Sequence, residues 1–167
     1  MKLDKTIFVK ALCLALIVCS LIFSFTGCDV FFERDPLDVE TFLEVMEENG
    51  FRVIDHTNIH LWEGNTNILK RLIAVHPNNA FEIQFVIYNN TAAAISSFNG
   101  TRQHVENMRG NVTSHSSVSG RNHSRFNQTS AGVYSQLLSV DNIFVFVFGA
   151  DAEYRDEIRN LFNLISQ

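Results

Sequence analysis

The chain has 167 residues, 46% of them hydrophobic, with 13 Lys and Arg against 18 Asp and Glu, a formal net charge of −5. That acidity argues against nucleic acid as a partner and against electrostatic adhesion to anionic lipid. Its three cysteines, Cys13, Cys19 and Cys28, all fall in the first 28 residues, so no thiol remains downstream for a disulfide and the rest of the chain must hold together by burial.

Lys2, Lys5 and Lys10 precede an uncharged, apolar run from Ala11 to Phe25, which ends in Thr26, Gly27 and Cys28. A spanning helix needs roughly 20 apolar residues, whereas the apolar core of a secretion signal needs about 7 to 15 after a basic start. The run fits the signal. Phe25, Thr26, Gly27 and Cys28 resemble the lipobox of bacterial lipoproteins: an apolar residue, a small one, Gly or Ala or Ser, then the modified cysteine. Phe25 stands where that family usually has Leu. The resemblance implies cleavage before Cys28, diacylglycerol on its sulfur and an acyl group on its amine. Asp29 follows, a residue associated in two-membrane bacteria with retention in the inner membrane. Two acyl chains anchor a protein stably, so the resemblance implies a domain lipid-anchored at Cys28 on the extracytoplasmic face of the cell membrane.

Two other readings of this segment stay open: an uncleaved anchor helix from Ile7 to Phe25, and an ordinary eukaryotic secretory signal. The second is raised by Asn89, Asn99, Asn111, Asn122 and Asn127, each of which begins an Asn-x-Ser/Thr triplet. The expected division is a signal peptide over 1–27, a lipidated tether over 28–34 and a single domain over 35–167. Cleavage would leave 10 basic and 17 acidic residues.

Asp35 and Pro36 are placed to open a helix, with Val39, Phe42, Leu43 and Met46 forming its buried stripe and Gly50 closing it. A short strand is expected from Phe51 to Asp55, then an irregular stretch from His56 to Asn67. Ile68 to Val75 and Phe81 to Tyr88 read as two strands of a hairpin. In the second, Phe81, Ile83, Phe85 and Ile87 alternate with Glu82, Gln84, Val86 and Tyr88, giving one core face and one more polar face. Asn90 or Thr91 caps a helix through Arg109, buried at Ile95, Phe98, Val105 and Met108, with a bend or break expected at Gly100.

Gly110 to Arg121, rich in Ser, Thr, Gly and Asn, reads as a mobile loop. A weak strand from Asn122 to Gln128, a strand from Val133 to Val140 and another from Ile143 to Phe148 follow. The last is apolar on both faces and belongs in the middle of a covered sheet. Asp151 caps a final helix with Tyr154, Ile158, Leu161, Phe162 and Ile165 as its stripe. The pattern predicts an α+β fold: an antiparallel β-sheet with helices packed on one face. Strand, strand, helix occurs twice, and Phe85-Val86-Ile87 matches Phe146-Val147-Phe148, so a ββα pseudo-repeat is possible. This layout is similar to that of small lipoproteins common in Gram-positive bacteria, a resemblance that implies no particular activity and no catalytic residues.

Candidate chemistry is sparse. His56 and His60 lie four apart beside Asp55 and could ligate zinc with Glu63, which would make the His56 to Glu63 loop a metal or small-solute receptor; surface histidines are the plainer reading. His115 and His123 flank a serine tract, but a nucleophile needs a rigid setting, a base and an oxyanion hole. Gly-x-Ser-x-Gly and both glycine-rich phosphate signatures are absent, so no cofactor is expected. Trp62, Tyr88 and Tyr134 combine a ring with a polar tip and suit an exposed ligand-binding face; partial burial with the tip hydrogen-bonded is the alternative. The expected function is non-enzymatic binding of an envelope protein or ligand, with a secreted enzyme of no recognisable motif as an alternative.

Overall fold

A computed structural model describes residues 37–58, 67–108, 110–120 and 122–166. Helix α1 covers Val39–Glu48 and is followed by strands β1 (Arg52–Asp55), β2 (Ile68–Val75) and β3 (Glu82–Tyr88). Helix α2 covers Thr91–Asn107. A meander follows, β4 (Val112–Ser119), β5 (His123–Ser130), β6 (Val133–Val140) and β7 (Ile143–Asp151), then a 3-10 turn (Ala152–Tyr154) and helix α3 (Arg155–Leu164). The strands form one antiparallel sheet in the order β1-β2-β3-β7-β6-β5-β4. The α+β class and the antiparallel sheet are as expected. Among the described residues no helix is long and apolar enough to cross a membrane.

Local chemistry explains the boundaries. Asp38 caps α1, its carboxylate accepting the Thr41 amide at 2.8 Å; the expected opening at Asp35 and Pro36 lies outside the described residues. Gly50, at φ +78°, ends the helix, with Gly50 N donating to Glu47 O and Phe51 N to Met46 O. That pair of bonds is a Schellman motif, and it needs a residue tolerant of the left-handed region. The β5–β6 turn uses Ala131 and Gly132 and the β6–β7 turn Asp141, all at positive φ, as tight hairpin turns require.

β7 occupies the fourth of seven positions, the place its two apolar faces demand. Val145 and Val147 point to one side with Ile83 and Phe85 of β3, where α1 and α3 supply Phe42, Met46, Ile158, Leu161 and Phe162. Phe144 points to the other side with Val86 and Tyr88, where α2 supplies Ala94, Phe98 and Val105. Helices therefore cover both faces, and the expectation of one covered face is corrected. The physical reason is that β7 is apolar on both sides and β3 carries Val86 and Tyr88 opposite Ile83 and Phe85, so a single helical layer would leave these residues in water.

The same geometry corrects the pseudo-repeat. The antiparallel β3–β7 pair could be exchanged only by a two-fold axis normal to the sheet, which keeps equivalent residues on the same face. Phe85 and Phe146, matched in the repeat, lie on opposite faces, as do α2 and α3. The recurring element order is not a two-fold repeat.

Two further expectations change. The Ser-rich stretch expected as a loop forms β4, an edge strand paired with β5 from Val112↔Ser130 to Ser119↔Ser124. Every residue of β4 is exposed, so no alternation of apolar and polar residues could announce it; backbone pairing alone makes the strand. Helix α2 runs through Gly100 without a break. Its buried residues are Ala94, Phe98 and Val105, while Ile95 and Met108 are half-buried.

Candidate functional site

Helix α2 is fixed at its start by Asn90, whose side chain accepts the Ala93 amide at 2.9 Å. The preceding Asn89 is tied to Asn67 by a backbone bond of 2.8 Å and a side-chain bond of 3.0 Å. The same end of the sheet is closed by Asn142, which accepts the Tyr88 amide at its carbonyl and donates its Nδ2 to Tyr88 O at 2.7 Å. These bonds hold α2 above β7 and β6, with one side overhanging β3.

That overhanging side carries Ser97, Gly100 and Thr101, at the i, i+3, i+4 spacing that puts three residues together on a helix. All are small, and a Cβ added at Gly100 would meet nothing within 4 Å. A cleft of about 340 Å³ remains between helix and sheet. Val86, Phe144 and Phe146 form its floor, the two phenylalanine rings stacked with centroids 4.7 Å apart. Ile68, Arg71, Gln84 and Tyr88 complete it toward β2.

The sheet's polar groups in the cleft lie on β2 and β3. Arg71 donates from its guanidinium to Gln84 Oε1 at 2.6 Å, a bond that sets the plane of the group. Burial lowers the Arg71 pKa, while Tyr88 and Glu82 favour its charged form; an arginine stays cationic in proteins. Burial raises the Tyr88 pKa against the opposing effects of a Ser97 hydrogen bond and of Arg71, so at neutral pH its hydroxyl keeps its proton and can donate. A second cleft of about 350 Å³ shares Gln84 and Phe146 and reaches Phe81, Glu82, Phe148 and Gly149. It opens where the β3–β7 pairing ends at Gln84↔Phe146. Phe148 is exposed there, 5.2 Å from the ring of His104 on α2.

Of the residues singled out in the sequence, the two described tyrosines are not brought together. Tyr88 lines the cleft and is buried, at 5% exposure. Tyr134 lies in the core on the opposite face, 1% exposed, its hydroxyl donating to Gln136 Oε1 at 2.6 Å and its pKa pushed up to about 12 by burial. The expectation that it belongs to an exposed binding face is corrected: its polar tip is satisfied internally. Trp62, His60 and Glu63 lie outside the described residues. His56 is half-buried and continues the β1–β2 ladder through its amide, which donates to Arg71 O at 2.9 Å. The neighbouring Asp55 is lowered in pKa by hydrogen bonds from Thr57, with Lys70 4.0 Å away. Among the described residues no three His, Cys, Asp or Glu side chains are grouped to hold a metal. The serine tract lies on β4, where Ser114 donates to Thr129 Oγ1 at 3.0 Å and His115 Nε2 is 3.9 Å from Glu106.

Sequence reasoning missed Arg71, Gln84, Ser97 and Thr101. A pair of charges, Lys70 and Arg71, within an otherwise apolar strand was the signal for Arg71. Gly100 did stand out, as an interruption of the stripe, and its actual consequence is room beside the helix, not a bend in it.

Comparison with protein-family models gives no match, and comparison with curated proteins gives none. Among solved structures, the crystal structure of a GTP-binding regulator from Thermotoga maritima is similar over 77% of this chain and 84% of that one, at 14% identity and a TM-score of 0.42. A likeness of that size carries no argument about fold or function.

Proposed function

We propose that this chain is a membrane lipoprotein, anchored through acyl groups on Cys28 at the extracytoplasmic face, whose α+β domain binds a small ligand in the cleft beneath α2. The observation that carries the binding half is the cleft itself: about 340 Å³, with an apolar floor and a few polar groups on the sheet and on α2. Small-molecule sites have this character and begin near ~300 Å³. Its lining chemistry suits binding over turnover. Among the described residues it offers a cation, an amide and three hydroxyls and no carboxylate, imidazole or thiol, and its tyrosine is shifted away from the range of a general base. The anchoring half is supported by the basic start, the apolar run and Phe25-Thr26-Gly27-Cys28.

The two halves are tested separately. Cells fed radioactive palmitate should incorporate label into the wild-type chain in the membrane fraction, and Cys28→Ser should abolish the label. An unlabelled wild-type chain in the cytosol, with its initiator methionine retained, overturns the anchoring. For binding, Gly100→Phe places a ring where the structure has open space, and native mass spectrometry of the chain purified from membranes should show adducts on the wild type that the variant lacks. Identical adduct patterns overturn the cleft as the site.

A further inference from the structure

Resting on the reading of the cleft as a binding site, we infer that its ligand is an unbranched acyl chain, laid over Phe144, Phe146 and Phe148 along the β3–β7 seam so that it spans both clefts. The three phenylalanines stand two residues apart on β7, and alternate residues of a strand share a face. Exposure rises along the row. Phe144 is 1% exposed, Phe146 is half-buried and Phe148 is 42% exposed, so the apolar track runs from beneath α2 out to the surface. At ~3.3 Å per residue the row is ~13 Å long, close to half of the ~30 Å hydrocarbon core of a bilayer, the depth one acyl chain fills. The clefts, about 340 and 350 Å³, meet at Gln84 and Phe146, which line both and pair directly across the strands. Two spaces adjoining at one waist suit a thin, flexible chain; a compact body would fill one and leave the other to water. The polar groups beside the row are turned to partners within the protein. Arg71 donates to Gln84 at 2.6 Å, has a further interaction in the protein, and has its charge favoured by Glu82. Tyr88 is hydrogen-bonded with Ser97. A polar ligand would exchange those bonds for its own with little net gain, whereas every methylene laid on the rings is removed from water.

Lauric acid carrying a photoreactive diazirine either beside its carboxyl group or at its methyl end reports where each end of a bound chain lies. The full chain in lipid nanodiscs is irradiated with each probe, and the cross-linked residues are mapped by mass spectrometry. One probe should mark α2 around Ser97 and Thr101 and the other the segment from Phe148 to Ala150. Phe148→Glu puts a charge on the track at an exposed position and should cut labelling by both probes at least fivefold, and Gly100→Phe should abolish labelling beneath α2. Melting temperatures report whether each variant is folded; if Gly100→Phe is not, Phe148→Glu still carries the comparison. Phosphatidylcholine bearing the diazirine at the methyl end of one chain, built into the nanodisc, separates a membrane lipid from a free fatty acid as the source, and labelling of the clefts by either supports the acyl chain. Labelling of the same residues by both lauric acid probes, or labelling unchanged in Phe148→Glu, overturns the laid-out chain and leaves the cleft as a binding site. Absence of labelling in the clefts by every probe overturns the acyl chain, and the adduct comparison with Gly100→Phe then decides the cleft independently.

Discussion

The two faces of the sheet are built differently. Beneath α1 and α3, Phe42, Phe85, Val145, Val147, Ile158 and Phe162 are fully enclosed, and Phe42 and Phe85 meet with ring centroids 4.7 Å apart. Beneath α2 the apolar cluster is smaller and lies among buried polar side chains: Gln128 donates to Val105 O at 3.1 Å and Ser135 accepts the Gly149 amide at 3.2 Å, while the clefts open toward β3. Among the described residues, two helices share one face, while one helix spans the other and leaves a cleft on its β3 side. The contrast separates a face that holds the fold from a face that can give up stability for a site.

Truncating one phenylalanine on each face should break or establish that contrast most clearly. Phe85→Ala removes a ring from closed packing and should cost about 3–5 kcal/mol, read as a fall in denaturation midpoint. Phe146 is half-buried and borders both clefts, so part of its surface already faces space. Phe146→Ala should cost only about 1–2 kcal/mol, near the transfer value of the area it buries. Equal losses would mean that the α2 face is packed as fully as the other.

Alkaline titration probes the closed face next. Burial pushes the Tyr134 hydroxyl up to about 12 from an ordinary value near 10, although Arg159, Arg125 and Arg155 favour the ionised form. Because the folded pKa is the higher one, the neutral tyrosine favours the folded state. Its contribution is complete below pH ~10, declines between ~10 and ~12, and amounts to about 2–3 kcal/mol. Comparing urea midpoints of the wild type and Tyr134→Phe across that window isolates the effect from other alkaline titrations. Parallel curves would show that the Tyr134 hydroxyl reaches water.

Gly149 lies on β7 at the second cleft, at φ +76° with nothing within 4 Å of an added Cβ. Gly149→Ala therefore meets no clash and reports backbone strain alone, about 1–2 kcal/mol in the left-handed region. A loss near zero in thermal unfolding would mean that β7 relaxes at that residue, as a loosely packed face would allow.

How much could be read in advance follows the same division. β7 was legible because its uninterrupted Ile, Phe and Val demand cover on both sides, β3 because Ile83, Phe85 and Ile87 alternate along one core face, and the α1 and α3 stripes because their apolar residues repeat at helical spacing. β4 was hidden because exposure on both sides removes the alternation that marks a strand. Tyr88 and Tyr134 were indistinguishable as residue types, since ring and hydroxyl are the same in both and only pairing register assigns the face. The cleft was least legible of all. It is made by what Ser97, Gly100 and Thr101 do not fill, and a gap depends on the residues opposite it, here on strands at distant places in the chain. Arg71 gains its meaning only from standing beside that gap.

The smallest effect is the sharpest test of whether polarity on the α2 face carries a cost. Ser139 pairs across the sheet with Phe144, is 2% exposed, and its Oγ has no hydrogen-bond partner among the described residues. A buried hydroxyl without a partner loses its bonds to water and gains none in return. Ser139→Ala deletes that one atom and leaves a residue that fits the same space, so the variant should be more stable by up to about 1 kcal/mol in urea unfolding, with an unchanged dependence on urea concentration. A comparable loss would mean that the hydroxyl is satisfied after all, by water reaching in beneath α2, and the opening on this face would then extend deeper than the two clefts.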